Sequence, residues 1–335
     1  RHTRSFHVTG VQTCALPIFF NRFFDTLPDT ASLPCSDLCE FSEEIDRLPE
    51  AAAVIFHVPT LRGMRRVVKY PRQLWVAWSL ESNVNYPQFS DPTFMRHFDL
   101  TMTYERNSDV WTSYLPSSAI FAAALRTPPK PKLESAPAVL FQSAAVDRSG
   151  RGAYCRELMR HLQIDSYGRI LNNRRIDVPD RGHETKLATI AGYKFTLAFE
   201  NSIAPDYVTE KFFDPLLAGS VPVYLGAPNV EDFAPGDDCF VDVTRFSEPA
   251  ALAAHLSRLA SNPAAYRRLL AWRDRPLRPA FVAAQRLDED SPLCRLARLV
   301  VARTRSGAPS RDRPTRPFAL RSVLASAMLR LLGRR

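Results

Sequence analysis

Tyr207, Glu210 and Lys211 form the first group of side chains whose types and spacing suggest chemistry. They occupy positions i, i+3 and i+4 of a predicted helix and therefore share one of its faces. A predicted strand just before this helix ends at Glu200 and Asn201. A phenol, a carboxylate and an ammonium at the beginning of one helix could bind a ribose and a phosphate together. The alternative is an ordinary surface charge pair between Glu210 and Lys211.

Glu81 stands at the end of a second predicted strand, in the segment LWVAWSLESN at residues 74–83. Alternation along this strand places Glu81 on the same face as Trp75. A carboxylate beside indole rings can have a raised pKa, and such a group is suited to act as a general base. The alternatives are a solvated loop glutamate and a helix cap.

Arg148 and Arg151 flank a glycine turn that leads from a third predicted strand into a helix. A helix N-terminus beside arginine side chains is a natural phosphate site. Cys155 stands where the third glycine of the dinucleotide motif G-x-G-x-x-G would be. The segment therefore predicts an anion site without the dinucleotide fingerprint.

The elements that position these side chains are strands and helices in alternation. The apolar runs are continuous, which is typical of parallel strands covered on both faces. The predicted strands are 52–58, 74–80, 100–104, 138–144, 195–201, 221–226 and 239–243. The predicted helices lie near 151–163, 183–192, 206–218, 247–260 and 263–272. This alternation predicts an α/β fold with doubly wound sheets.

A proline-rich segment at residues 127–137, TPPKPKLESAP, interrupts the alternation and is typical of a linker. It predicts two Rossmann-like doubly wound domains that face a cleft, at residues 19–130 and 131–285. Ligands of such sheets bind at the carboxyl ends of the strands. This rule places all three groups of candidate residues beside the cleft.

The positive charge is concentrated at one end of the chain. The net charge is +9, and residues 295–335 alone contain 11 Arg and one acidic residue. The remainder is nearly neutral, so a generally basic nucleic-acid-binding domain is not expected. The sequence contains no run of about 18 apolar residues, so no transmembrane helix is predicted.

The two ends of the chain receive separate interpretations. Residues 1–18 resemble a translated sequencing adapter, so we interpret them as a non-native artefact. Residues 286–335 are predicted to be a basic tail, with a proline-rich linker at 307–317 and an amphipathic helix at 318–332. That helix could lie on an anionic membrane surface, or it could dock on the body of the protein or on a partner.

The six cysteines do not suggest a disulfide scaffold in a chain of 335 residues. Cys35 and Cys39 are spaced C-x3-C, one residue longer than the usual metal knuckle, and no second pair follows. The cysteines are therefore predicted to be mostly buried thiols in a reducing compartment.

Four segments resemble the alpha-1,3-fucosyltransferases, a family with a two-lobed GT-B-type fold that uses GDP-fucose. The longest is YKFTLAFENS, followed by DYVTEK and VPVYLGAPNVEDFAP, within residues 193–235. The others are WSLESN, LTMTYERNSDVW and RGAYCRELMRHLQIDSYGR, which occur in the family's order and spacing. This chain departs from the family at Asn83, at 105–107 and at 204–205, and none of these changes removes a charged donor-site residue.

The resemblance implies a role for each candidate residue. Glu81 would be the general base on the acceptor side. The donor-binding residues would all come from the second domain: Arg151 and Lys211 for the diphosphate, Glu210 for the ribose, and Tyr207 and Asn201 for the nucleotide pocket. The family match makes 19–130 the acceptor-side domain and 131–285 the GDP-fucose-binding domain.

The implied reaction is the transfer of fucose from GDP-fucose to a hydroxyl of an acceptor glycan, with inversion. The expected acceptor is N-acetylglucosamine in an alpha-1,3 linkage, as in protein glycosylation or lipopolysaccharide biosynthesis. No cofactor or metal site is expected, although a divalent metal could stimulate the reaction through the diphosphate. The chain is expected to be bacterial, cytoplasmic and peripheral on the inner membrane face, without a nucleic-acid partner. The alternatives are another nucleotide-sugar donor and a non-catalytic nucleotide-sugar-binding relative.

Overall fold

A computed structural model describes residues 15–24, 26–61 and 67–306. In this part of the chain two five-stranded sheets form, and all of their strand pairs are parallel. The first sheet has the order β1-β2-β3-β4-β5 and the second the order β10-β9-β8-β6-β7. Two parallel sheets with helices between their strands confirm the predicted α/β class.

The strands of the first sheet are β1 (Pro17–Phe19), β2 (Ala53–His57), β3 (Leu74–Ser79), β4 (Leu100–Thr103) and β5 (Val110–Trp111). Those of the second sheet are β6 (Ala138–Leu140), β7 (Ile164–Ser166), β8 (Phe195–Phe199), β9 (Val221–Leu225) and β10 (Val241–Asp242). Every residue of β2, β3 and β8 is buried. Burial on both faces explains why these strands read as unbroken apolar runs.

The α-helices of the described residues are α1 (Pro92–Met95), α2 (Ser118–Arg126), α3 (Arg151–Leu158), α4 (His183–Ile190), α5 (Glu210–Ala218), α6 (Pro249–Ala260), α7 (Pro263–Arg268), α8 (Pro279–Glu289) and α9 (Pro292–Arg305). The predicted linker at 127–137 runs between α2 and β6. Helix α5 begins at Glu210 and not near 206, because Asp206 has a left-handed φ of 64° and Thr209 caps the helix.

The prediction that the first domain begins only after residue 18 is wrong, because the first sheet begins before that residue. Pro17–Phe19 form β1 and pair with Ala53–Ile55 of β2. The side chain of Ile18 is completely buried in the apolar layer with Val54 and Phe56. Residues 15–18 therefore belong to the fold, whereas residues 1–14 lie outside the described residues.

The prediction that a tail begins at residue 286 is wrong for helix α9, which is part of the fold. Its apolar side chains Leu293, Leu296 and Val300 pack into the core of the first sheet, beside Val76 and Leu100. The chain thus returns from the second domain to cover the first. The predicted linker at 307–317 and the predicted helix at 318–332 lie outside the described residues.

A disulfide between Cys35 and Cys294 contradicts the prediction of thiols for this pair. It joins an early loop of the first domain to α9, across 259 residues of sequence. The spacing of Cys35 from Cys39 could not reveal a partner at the other end of the chain. Cys39, Cys155 and Cys239 are buried, as predicted, and Cys14 lies outside the described residues.

We expect Leu296→Ala to lower the free energy of unfolding by about 2–5 kcal/mol, because it leaves a cavity in the core of the first sheet. Leu296 is 0% exposed, whereas Leu287 on α8 is 48% exposed. Leu287→Ala is the matched control and should change the free energy by about 0.5 kcal/mol or less. Denaturant unfolding measures both variants, and equal effects would contradict the packing of α9.

Candidate active site

Glu81 lies at the carboxyl end of β3, where the first sheet meets the cleft. The backbone N–H of Glu81 donates to the Ser79 hydroxyl at 2.8 Å, and that hydroxyl donates to the Glu81 carbonyl at 3.1 Å. These two bonds turn the chain out of the strand and fix the base of the side chain. Partial burial raises the pKa of Glu81, while the charge of Lys211 and a hydrogen bond from Tyr207 oppose the increase.

Glu200 follows β8 and is the most deeply buried carboxylate of the site, with 0% exposure. It accepts hydrogen bonds from the Thr209 backbone N–H at 2.8 Å and from the Thr209 hydroxyl at 2.9 Å. The Lys211 ammonium lies 3.5 Å from the same carboxylate. Burial raises the pKa of Glu200, and Lys211 partly opposes this effect. These contacts tie the start of α5 to the end of β8.

Lys211 is held between two carboxylates at the first turn of α5. Its ammonium donates to Glu210 and to the Thr209 hydroxyl, each at 3.0 Å. Burial alone would lower the pKa of Lys211, but Glu200 and Glu210 outweigh it and the pKa is raised. Lys211 therefore remains a cation at neutral pH and can act on a diphosphate.

Glu210 keeps its negative charge for a related reason. Burial would raise its pKa, but the ammonium groups of Lys211 and Lys186 lower it below the usual value. An ionised carboxylate at this position can accept hydrogen bonds from two adjacent hydroxyl groups. This chemistry agrees with the predicted contact between Glu210 and a ribose.

Tyr207 connects the two domains within the site. Its hydroxyl donates to Oε2 of Glu81 at 3.4 Å. Its ring lies 5.1 Å from the ring of Tyr104 and 6.4 Å from that of Tyr114, both from the first domain. Tyr207 is only 2% exposed, so it is packed at the junction of the domains and does not present a wide surface to a nucleotide.

Asn201 lies at the same junction, one residue after Glu200. Its side-chain oxygen accepts from the amide of Asn85, which belongs to the first domain, at 2.9 Å. Its backbone carbonyl accepts from Arg148 N–H at 2.7 Å. The structure thus brings Asn201 to the predicted cleft and close to the loop that precedes α3.

Arg151 has a different environment from the one that the sequence suggested. Its guanidinium donates to the carbonyls of Phe199, Ala144 and Val146 at 3.0–3.2 Å, and the residue is 2% exposed. β6 ends at Leu140 and is therefore shorter than the predicted strand at 138–144. Arg151 organises the 144–150 loop, and its direct contact with a diphosphate stays a prediction.

The N-terminus of α3 also differs from the predicted anion site. The Asp147 carboxylate accepts from the backbone N–H groups of Arg151 at 3.0 Å and Gly152 at 2.9 Å. Burial would raise the pKa of Asp147, but these backbone hydrogen bonds lower it overall. A protein carboxylate therefore takes the position that we predicted for a phosphate.

A cavity of about 540 Å³ lies elsewhere, at the β7 edge of the second sheet. Asp165, Tyr167 and Tyr193 are among its lining residues, and none of the predicted site residues lines it. Among the described residues no group of three or more His, Cys, Asp or Glu is placed to hold a metal ion. In the same residues no helix is both long enough and apolar enough to cross a membrane.

Sequence reasoning missed Glu200 and Thr209 as parts of the site. Glu200 was visible only as a carboxylate at the end of an apolar strand. Thr209 precedes the first residue of α5, which is the usual position of a threonine cap. A carboxylate at a strand end and a threonine before a helix were the only sequence signals for these two residues. The bond between their side chains depends on the approach of β8 to α5, which the pattern does not show.

Sequence profiles of two families match the chain over most of its described length. Residues 130–309 match glycosyltransferase family 10 (fucosyltransferase), C-terminal part, and residues 16–115 match the fucosyltransferase N-terminal part. The chain belongs to glycosyltransferase family 10. The family predicted from the four motifs is therefore confirmed.

Curated relatives include more than one kind of fucosyltransferase. The chain is 35% identical to alpha-(1,3)-fucosyltransferase B of Drosophila melanogaster over 246 residues, which is 68% of this chain and 55% of the relative. It is 36% identical to human GDP-fucose protein O-fucosyltransferase 3 over 214 residues, 59% of this chain and 44% of the relative. The chain thus spans about half the length of the curated relatives it matches.

Solved structures agree on the fold. A crystal structure of an alpha1,3-fucosyltransferase with GDP has a TM-score of 0.58 at 14% identity, covering 93% of this chain and 96% of that one. Another, with GDP-fucose, has a TM-score of 0.51 at 15% identity and covers 80% and 84%. The predicted GT-B-type arrangement is confirmed.

We expect Lys211→Ala to weaken GDP binding about 10- to 100-fold, because it removes a charge-assisted contact worth about 1.5–3 kcal/mol. Calorimetric titration measures the affinity. Lys194→Ala is the matched control, since the Lys194 ammonium donates only to the Ala260 carbonyl among the contacts described for it. Unchanged GDP affinity in a folded Lys211→Ala variant would contradict the site.

Proposed function

We propose that this chain transfers fucose from GDP-fucose to a hydroxyl of an acceptor glycan, with inversion at the anomeric carbon. The observation that supports this most strongly is the meeting of Glu81 with Tyr207 and Lys211. The partly buried Glu81 carboxylate of one domain accepts a hydrogen bond from Tyr207 of the other, and the charge of Lys211 acts on it. In the proposed complex, Glu81 acts as the base on one side of the sugar, and Lys211 acts on the leaving diphosphate on the other.

The reaction is a single displacement in this proposal. Glu81 takes the proton of the acceptor hydroxyl as its oxygen attacks the anomeric carbon of fucose, and the bond to the GDP oxygen breaks. The transition state resembles an oxocarbenium ion, as in other glycosyl transfers. Lys211 stabilises the negative charge that develops on the diphosphate, while Glu210 holds the ribose. Arg151 contributes through the loop that it holds and, as predicted, through the diphosphate.

The raised pKa of Glu81 suits the role of base. Burial is its main cause, and a raised pKa makes the carboxylate a stronger base toward the acceptor proton. The charge of Lys211 and the hydrogen bond from Tyr207 limit the increase by favouring the ionised carboxylate. Transfer should therefore decline as the pH falls through the pKa of Glu81.

For the acceptor we propose N-acetylglucosamine in an alpha-1,3 linkage, supported by the similarity to alpha-(1,3)-fucosyltransferase B. A hydroxyl of a protein side chain is the second candidate, because protein O-fucosyltransferase 3 is similar at 36% identity. Product analysis with a sugar acceptor and a peptide acceptor would distinguish the two. A screen of GDP, UDP and CDP sugars would test the donor in the same assay.

We propose that the reaction needs no resident metal, since Lys211 supplies positive charge at the leaving group. A divalent ion could still act through the diphosphate itself. The predicted helix at 318–332 is proposed to contact a membrane surface where lipopolysaccharide acceptors are assembled. The Cys35–Cys294 disulfide favours an oxidising compartment over the reducing compartment that the cysteine pattern predicted.

We expect Glu81→Gln to retain GDP affinity and to lose transfer by a factor of about 10²–10⁴, because the amide cannot accept the proton. Release of GDP in the presence of acceptor measures turnover, and titration measures affinity. Glu184→Gln provides a glutamate control, because among its described contacts Glu184 forms only an exposed pair with Arg181. Retained turnover in Glu81→Gln would refute the base assignment.

A further inference from the structure

Glu81 is held at two points, and only one of them lies in its own domain. Its backbone is fixed by Ser79, but that contact leaves the side chain free to rotate. The only side-chain hydrogen bond described for the Glu81 carboxylate comes from Tyr207, on the other domain. A general base must be held in a defined orientation toward the proton it removes.

We propose that Tyr207 is the positioning residue of this site, and that its hydroxyl orients the Glu81 carboxylate across the cleft. The proposal rests on the function proposed for Glu81. It assigns to Tyr207 a task other than lining a nucleotide pocket. With 2% exposure, Tyr207 has little surface to offer a nucleotide. The bond occupies Oε2 of Glu81 and leaves the other oxygen for the acceptor hydroxyl.

The loop that carries Tyr207 is held firmly enough to act in this way. Asp206 adopts a left-handed φ of 64°, which is uncommon for a residue other than glycine. Asn229 stabilises this conformation with two bonds of 2.9 Å, one to the Asp206 N–H and one to its carboxylate. The backbone N–H of Arg106, from the first domain, donates to the same carboxylate at 3.0 Å.

The ring of Tyr207 is also fixed from the side of Glu81. The hydroxyl of Tyr114 donates to the carbonyl of Leu80 at 2.8 Å, and the hydroxyl of Tyr104 accepts from the N–H of Asn83 at 3.2 Å. Both rings meet that of Tyr207 edge to face. The two tyrosines therefore hold the backbone on either side of Glu81 and the ring that approaches it.

The hydroxyl of Tyr207 can act only as a donor to this carboxylate. Burial, followed by the charges around it, raises the pKa of Tyr207 far above that of an ordinary tyrosine. The phenol therefore keeps its proton over the whole working pH range. A donor stabilises the ionised form of Glu81, so loss of this bond raises the pKa of the base.

The test is Tyr207→Phe, which keeps the ring and removes the hydroxyl. We expect about a tenfold fall in kcat, an unchanged KM for GDP-fucose, and a shift of the acidic limb of the pH–kcat profile to higher pH. Tyr266→Phe is the matched control: its hydroxyl donates to the Lys194 carbonyl at 3.0 Å in the core of the second domain. It should leave the acidic limb where it is.

Wild-type kcat and pH profile in a folded Tyr207→Phe variant would overturn the proposal. A rise in KM for GDP-fucose with kcat and the pH limb unchanged would also overturn it, because Tyr207 would then serve nucleotide binding. The Glu81→Gln result separates the two levels. If that variant loses transfer while Tyr207→Phe behaves as wild type, only the positioning role fails; if it retains transfer, both proposals fail.

Discussion

The buried carboxylate of Glu200 is the contact on which the rest of the site depends. A carboxylate without exposure is costly to bury unless hydrogen bonds and an opposite charge compensate it. Thr209 and Lys211 provide this compensation, and both belong to the start of α5. The position of the helix, the ammonium of Lys211 and the loop before them are therefore set by one acid at the end of β8.

Gly226 shows how closely this arrangement is packed. A Cβ atom at that position would lie 2.4 Å from the Tyr224 hydroxyl and 2.6 Å from Cγ of Glu200. Only glycine lets the end of β9 approach Glu200 to this distance. The hydroxyl of Tyr224 in turn donates to the Tyr207 carbonyl at 3.3 Å, so the same packing extends to the residue that contacts Glu81.

The two domains are joined by contacts close to the candidate site and also far from it in sequence. Asn85 bonds to Asn201 at the cleft, while Arg106 contacts Asp206 and Asp232 and lies 4.3 Å from the ring of Phe233. On the far side, α9 returns to the core of the first sheet. In the proposed reaction Glu81 and Lys211 act together although they come from different domains.

The sequence predicted those features that depend on local pattern. Buried strands such as β2, β3 and β8 were visible because an apolar run is a property of the strand itself. β1 was missed because residues 1–18 had been interpreted as a non-native artefact, and β5 and β7 were missed because these short strands do not lie in a longer apolar run, unlike β6 and β10. Family motifs located Glu81, Glu210 and Lys211, and the structure places all three at the cleft.

Features that depend on contacts between distant segments could not be predicted from pattern. The pattern around Arg151 gave no sign that its guanidinium bonds the carbonyls of Phe199, Ala144 and Val146. Cys35 could not indicate a partner at Cys294, and α9 looked like the start of a basic tail because its arginines outnumber its acids. In each case the deciding group comes from another part of the chain.

The central claim is that Glu81 and Lys211 act on opposite sides of one sugar in a single displacement. The most direct measurement is NMR of the newly formed glycosidic bond, because the anomeric coupling constant reports the configuration of the product. One displacement predicts the anomer opposite to that of the donor sugar. A product with the donor's configuration cannot come from a single displacement at the face opposite GDP, so it would contradict the account.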